Sequence, residues 1–379
     1  MQSIGIKLPI IREGDDLVNI VVDSVMTAIR DYDQYEDVYI YNIDDKDVIG
    51  ITESIVARAQ GNYVTIDDIV QFLNSMHITK NLILYSPIMS RNRFSMILKA
   101  FARYADSIKI VLEGKYDEQG NPNEDINPFT GVDIKEYYRE LCENENCKFE
   151  MHKNHISYYY HKPRFYQLGN KWMGIEFSET FIDCRCHPTD GDQFTLKDIM
   201  CAAVTREDGS MSGLNTEYGL LGSNKATEEK LKLFPEPAKA QHLVEEIQQR
   251  IFEKTGKRVD VMVYGDGCFK DPVGGIWEWA DPVVSPAYTK GLEGTPNEIK
   301  IKAFADDKYK DLQGEELTNA VKSEITSKNK NLVGNMASQG TTPRRYVDLL
   351  GSLMDLTSGA GDKGTPVIVV KSYFKTFSD

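Results

Sequence analysis

Ser358-Gly359-Ala360-Gly361-Asp362-Lys363-Gly364-Thr365-Pro366, followed at once by Val367-Ile368-Val369-Val370, is the stretch from which the fold is read. Residues 346–356 before it repeat apolar positions at helical spacing, so the glycine-rich segment connects a helix to a buried strand. Glycines in such a turn let backbone amides approach an anion without side-chain obstruction, which suits a phosphate. A Walker A loop runs the other way, from strand to helix, and ends in Gly-Lys followed by Ser or Thr. The same residues also suit a helix C-cap and a plain connection.

Working outward, 241–254 reads as a helix closed by Gly256, and 258–264 as a buried strand running into Gly265-Asp266-Gly267. Asp266 then stands just past the carboxyl end of a strand, where α/β proteins place ligands and metals. At the other end of the chain, 15–30 carries an amphipathic helical pattern, 38–41 and 48–52 read as strands, and Thr65 caps a helix through Met76. The series 81–86 strand, 94–104 helix, 108–112 strand predicts a βαβ unit with parallel pairing. A polar loop over 114–133 precedes a helix at 134–142, an aromatic strand-like run at 155–161 and a helix at 195–204. The pattern is that of a mixed α+β, broadly α/β, protein.

The 379 residues, 41% hydrophobic and 27% charged, can bury a sizeable core. No run approaches the roughly 20 apolar residues that span a bilayer, and the first residues lack a secretion leader. Six sparse cysteines argue against a disulfide framework and for a reducing, cytoplasmic setting. A net charge of −14 repels nucleic acid, so an anionic substrate must be met locally by amides, Lys, Arg or bound cations.

Several clusters carry possible chemistry. Ser90, Arg91 and Arg93 lie between the strand and helix of the βαβ unit and can offer a helix N-terminus and guanidinium groups to a carboxylate or phosphate. A solvated basic face fits them equally. Asn215, Glu217, Ser223 and Asn224 supply oxygen ligands suited to a hard divalent cation, although turns use the same residue types. Cys184-Arg185-Cys186-His187 lacks the second ligand pair of a tetrahedral zinc site. Trp277-Glu278-Trp279 can stack a planar ligand or fill a core strand, and six histidines without a partnering Ser or Cys motif give no hydrolytic triad.

Taken together, the segments Leu8 to Leu17, Asp47 to Gly61, Thr255 to Phe269 and Gly359 to Val370 resemble the gamma-glutamyl ligase family of the deazaflavin coenzyme F-420. The resemblance implies a ligase-like core built from both ends of the chain, 1–80 and 200–379, with an inserted, βαβ-containing α/β region at 81–199, and a homodimer. It implies GTP and Mg2+ or Mn2+ as cofactors, L-glutamate and a carboxylate-bearing small molecule as substrates, and amide formation through an acyl phosphate. Leu8, Pro9, Ile10 and Ile11 correspond to the family's nucleotide-contacting opening segment. Glu53 and Arg58, in what reads as a turn after the strand, stand where the family has a nucleotide-contacting Ser and Lys. Gly359, Gly361 and Gly364 correspond to its nucleotide loop, with Asn224 beside the first metal-ligand position. The family's acidic metal ligands are displaced: Glu217 is nearest to the first, Asp266 follows Gly265 at the second, and Asp362 stands near Ala360 at the third. A nucleotide- or small-ligand-binding regulatory protein that kept the fold and lost the metal site is the alternative.

Overall fold

The structure, a computed structural model, describes residues 1–30, 42–76, 78–89, 94–117, 122–126, 131–153, 164–168, 171–176, 179–184, 224–265, 269–270, 277–278, 285–332, 345–358 and 361–379. The elements expected at 38–41, 155–161 and 195–204 lie outside these residues.

In chain order the elements are β1 (Gln2–Ile6), α1 (Leu17–Arg30), β2 (Val48–Thr52), α2 (Glu53–Gln60), β3 (Tyr63–Thr65), α3 (Ile66–Ser75), β4 (Asn81–Tyr85), α4 (Phe94–Tyr104) and β5 (Ser107–Leu112). Next come α5 (Ile134–Asn144), β6 (Lys148–Lys153), β7 (Arg164–Leu168), β8 (Lys171–Glu176), β9 (Glu179–Asp183), β10 (Asn224–Thr227), β11 (Lys230–Lys232), α6 (Pro237–Thr255) and β12 (Asp260–Tyr264). The series closes with β13 (Phe269–Lys270), β14 (Trp277–Glu278), β15 (Ala287–Tyr288), α7 (Gly314–Ser327), α8 (Tyr346–Ser358) and β16 (Val367–Lys371). Two compact units result, Met1–Val56 with Pro237–Gly265 and Val283–Asp379, and Ala57–Glu236 with Asp266–Pro282.

The first unit is built on a five-stranded sheet in the order β1-β16-β2-β12-β15. Strands β2 and β12 are parallel and the other pairs antiparallel. Continuous apolar runs in β2, β12 and β16 dictate burial on both faces. One face, with Val48, Met262, Tyr264, Ile368 and Val370, packs against Val347, Leu350 and Met354 of α8. The other carries Ile49, Ile51, Val261, Val263, Val367 and Val369, all fully buried, and α6 and α1 pack along the sheet. Each such aliphatic side chain contributes roughly 1.5–3 kcal/mol by its burial. Gly50 stands where α8 comes closest: an added Cβ would displace the Met354 thioether and come within 3.1 Å of the Tyr264 ring.

Local signals set the helix ends. Asp16 accepts from the amide of Asn19 at 3.1 Å and starts α1. Gly256, at φ +71°, donates to the carbonyl of Phe252 at 2.7 Å and ends α6 as the sequence predicts.

One end of this sheet is closed by buried polar groups. Lys371 Nζ lies 3.2 Å from Asp47 Oδ2, 3.5 Å from Asp44 Oδ2 and 3.0 Å from Asn42 Oδ1. Asp47 also accepts from the amides of Asp44 at 2.9 Å and Ser372 at 3.1 Å. Beside it, buried Asp260 accepts from Thr289 Oγ1 at 2.8 Å.

The second unit holds a six-stranded sheet, β6-β5-β4-β9-β8-β7, in which β6, β5, β4 and β9 run parallel and β8 and β7 complete it antiparallel. The βαβ unit read at 81–112 is therefore present, with α3, α4 and α5 packed over a core that includes Leu84, Phe101, Ile110 and Tyr138. The capping box at Thr65 and Asp68 starts α3. A small antiparallel sheet, β10-β11-β3, and the antiparallel pair β13 and β14 complete the unit. On its surface Arg103 binds Glu145 through two hydrogen bonds, 2.9 and 2.8 Å, and reaches Asp67 and Glu229, both at 2.9 Å.

Candidate functional site

The register of the five-stranded sheet brings four segments to its other end. Ile6 of β1 pairs with Val367 of β16, Val367 with Ile51 of β2, and Thr52 with Tyr264 of β12. Hence the loop leaving β1, the start of α2, the turn entering β16 and Gly265 after β12 all emerge on one edge. This is the edge opposite the buried Lys371–Asp47 pair.

The base of the glycine turn is fixed by contacts from three directions. Leu8 donates its amide to the carbonyl of Gly364 at 3.2 Å, and Thr52 donates to Pro366 at 2.9 Å. Thr365 Oγ1 donates to the carbonyl of Ser358 at 3.3 Å, closing the turn on the helix it left. Thr365 also sits against Gly5, where an added Cβ would come within 2.8 Å of its own. Above this base Gly361–Lys363 forms a single 3-10 turn rather than plain loop, and Gly364 takes φ +64°. Asp362 and Lys363 on that turn are exposed, as is Lys7 on the neighbouring loop. The edge thus offers a carboxylate and two ammonium groups on an anchored backbone. Oxygen donors fit a hard divalent cation, and amides with lysines fit phosphate. Lys7 and Lys363 were not singled out in the sequence; their placement on two segments joined by one backbone hydrogen bond draws attention to them.

The predicted residues fall as follows. Leu8 is half-buried, Pro9 exposed, Ile10 82% exposed and Ile11 buried. Glu53 and Arg58 do not lie in a turn: residues 53–60 form α2, with buried Glu53 as its first residue and exposed Arg58 in its last turn. The carboxylate of Glu53 there meets the positive end of the helix dipole. Gly361, Asp362 and Gly364 stand on the edge with Leu8 to Ile11 and Glu53. Arg58 and Asn224 belong to the second unit, Asn224 opening β10 opposite Lys232. Gly359, Glu217, Asp266, Ser90, Arg91 and Arg93 lie outside the described residues. Among the described residues no three His, Cys, Asp or Glu side chains cluster as a metal site, and no helix is long and apolar enough to cross a membrane.

A layered core of mixed α and β structure whose strand-end loops gather on one edge, one of them an anchored glycine turn, is the fold class of the chain, and it accords with a ligase fold of α/β type. The chain belongs to the F420-0:Gamma-glutamyl ligase family, which matches residues 5–372. That match takes in both units. Among curated proteins none matches the sequence. Family membership assigns the chain to the gamma-glutamyl ligases.

Proposed function

We propose that the chain forms an amide bond between L-glutamate and a carboxylate-bearing small molecule, using GTP and Mg2+ or Mn2+, as a cytoplasmic homodimer. The observation that carries this reading is the convergence of the Leu8 loop, Glu53, the Gly361–Gly364 turn and Gly265 on one edge of the first unit's sheet. When bound, GTP and the metal would supply activation of the carboxylate as an acyl phosphate, at whose carbonyl carbon the amine of glutamate would form the amide bond as phosphate leaves. The chain's own part is positional. Leu8 to Ile11 flank the nucleotide, amides around Gly359, Gly361 and Gly364 meet its phosphates, and Lys7 and Lys363 offset their charge. Glu217, Asp266 and Asp362 are the carboxylates assigned to the metal, and Glu53, Arg58 and Asn224 the further nucleotide contacts. Ser90, Arg91 and Arg93 are assigned to the carboxylate substrate.

Isothermal titration with GTP, GDP and ADP in the presence of magnesium or manganese tests the reading. GTP binding that requires the metal supports it, and failure to bind any nucleotide overturns it. Nucleotide binding without ligation of glutamate to any offered carboxylate favours a regulatory protein that kept the fold.

A further inference from the structure

Helix α5 ends in a Schellman motif. Asn146 stands beyond the cap at φ +61° and donates to the carbonyl of Glu143 at 2.9 Å, while Cys147 donates to the carbonyl of Cys142 at 2.9 Å. In this motif the residue third from the helix end and the second beyond the cap bring their side chains into contact, ordinarily as an apolar pair. Here both are cysteines. Both thiols are free and buried, and that of Cys147 donates to the carbonyl of Lys148 at 3.6 Å. A disulfide spans Cα separations of roughly 4.4–6.8 Å without backbone movement, and the bond from the amide of Cys147 to the carbonyl of Cys142, closing one tight turn, holds the pair within that reach.

We propose that Cys142 and Cys147 form a redox modification site, a dithiol that a small peroxide converts into an intrachain disulfide closing the last turn of α5. The neighbouring Cys142 thiol holds Cys147 below the ordinary thiol range, and the same pairing together with burial pushes Cys142 up, while Cys147 stands beyond the helix end between exposed Asn146 and Lys148. Cys147 is therefore the attacking thiolate. Its sulfur bonds one peroxide oxygen as the O–O bond breaks, leaving a sulfenic acid; the departing hydroxide takes up the thiol proton as water. The Cys142 sulfur then displaces the sulfenic oxygen, which leaves as a second water with the Cys142 proton. One peroxide is reduced and two thiols are oxidised.

Access comes through the helix end, since Glu143, Asn144, Asn146 and Lys148 around the pair are exposed and terminal turns open readily. The disulfide would also fix Glu145, the cap residue between the cysteines, which holds Arg103 by two hydrogen bonds.

The test treats the full chain with hydrogen peroxide, alkylates remaining thiols after unfolding, and reads the peptides by mass spectrometry. Expected is a loss of two hydrogen masses on the peptide carrying both residues, with resistance to alkylation reversed by dithiothreitol. Buried Cys184, whose thiol donates to the carbonyl of Ile182 at 3.6 Å, should remain alkylatable. In Cys142→Ser the reaction should stop at a sulfenic acid on Cys147 that a dimedone probe labels. Recovery of both cysteines as free thiols, at peroxide levels that oxidise glutathione, overturns the proposal. So does separate oxidation to sulfinic acids without the cross-link. The wild-type readout stands even where a variant fails to fold.

Discussion

The amide of Leu8 donates to the carbonyl of Gly364 across 3.2 Å, tying the loop that leaves β1 to the turn that enters β16. Gly364 holds φ +64°, and an added Cβ would meet nothing within 4 Å. Gly364→Ala therefore costs the left-handed backbone strain alone, about 1 kcal/mol. Urea denaturation should show a loss of that size, with GTP affinity lowered in the same variant.

Asp362 and Lys363 are exposed neighbours on the 3-10 turn, so neutralising either should leave stability within about 0.5 kcal/mol. Asp362→Asn is expected to weaken nucleotide binding only when Mg2+ or Mn2+ is present. Lys363→Ala should weaken it with or without the metal. Titration calorimetry of both variants, with and without chelator, separates the two effects.

Removing Asp47 leaves Lys371 buried with Asp44 and Asn42 as its remaining anionic and polar partners, and strips the amides of Asp44 and Ser372 of their acceptor. Breaking one side of a buried pair costs about 3 kcal/mol. Asp47→Ala should lower the urea midpoint accordingly, with far less effect from Asp362→Asn.

Glu229 is held down to about 2, first by its hydrogen bond from Arg103 and then by that from Lys99. A carboxylate depressed in the folded state contributes stability above its unfolded value, near 4.5, and loses it as pH falls toward 2. Its side chain is half exposed, so solvent screening limits the gain to about 1 kcal/mol or less. Glu229→Gln should lower stability by about 1 kcal/mol or less at neutral pH and remove the fall across that acid window, so that the variant and the parent converge near pH 2.

Asp260 behaves with the opposite sign. Burial raises its pKa, against the hydrogen bonds from Thr289 and the amide of Gly291. The folded state then holds its proton longer than the unfolded chain, and stability falls as pH rises from 3.8 through the raised value. Asp260→Asn should remove this downward slope, measured by thermal unfolding across pH 4 to 7, while costing the bond from Gly291.

Elements with their own local signals were legible in the sequence. Thr65 and Asp68 announce α3, the apolar runs of β4 and β5 with α4 between them announce the parallel pair, and Gly256 announces the end of α6. Helix α2 was read as a turn because its mixed sequence has a weak apolar face; it forms where Val56 and Ala57 are buried. Strand β1 is a half-exposed edge whose pairing with β16 at the far end of the chain defines it. The candidate edge itself depends on register between residues far apart, as with Ile6, Val367 and Ile51. Local periodicity carries no such information; only the resemblance to a family gathered those segments beforehand.

Strand β16 lies between β1 and β2, so an interior position of the first unit's sheet is filled by a segment made near the far end of the chain, long after both its neighbours. During synthesis, β1 and β2 must wait with their inner edges open, while the parallel strands of the second unit have nearby partners from the start. The nascent chain should therefore acquire protease resistance in the second unit first, and the glycine turn, arriving just ahead of β16, completes the candidate edge only as the sheet closes.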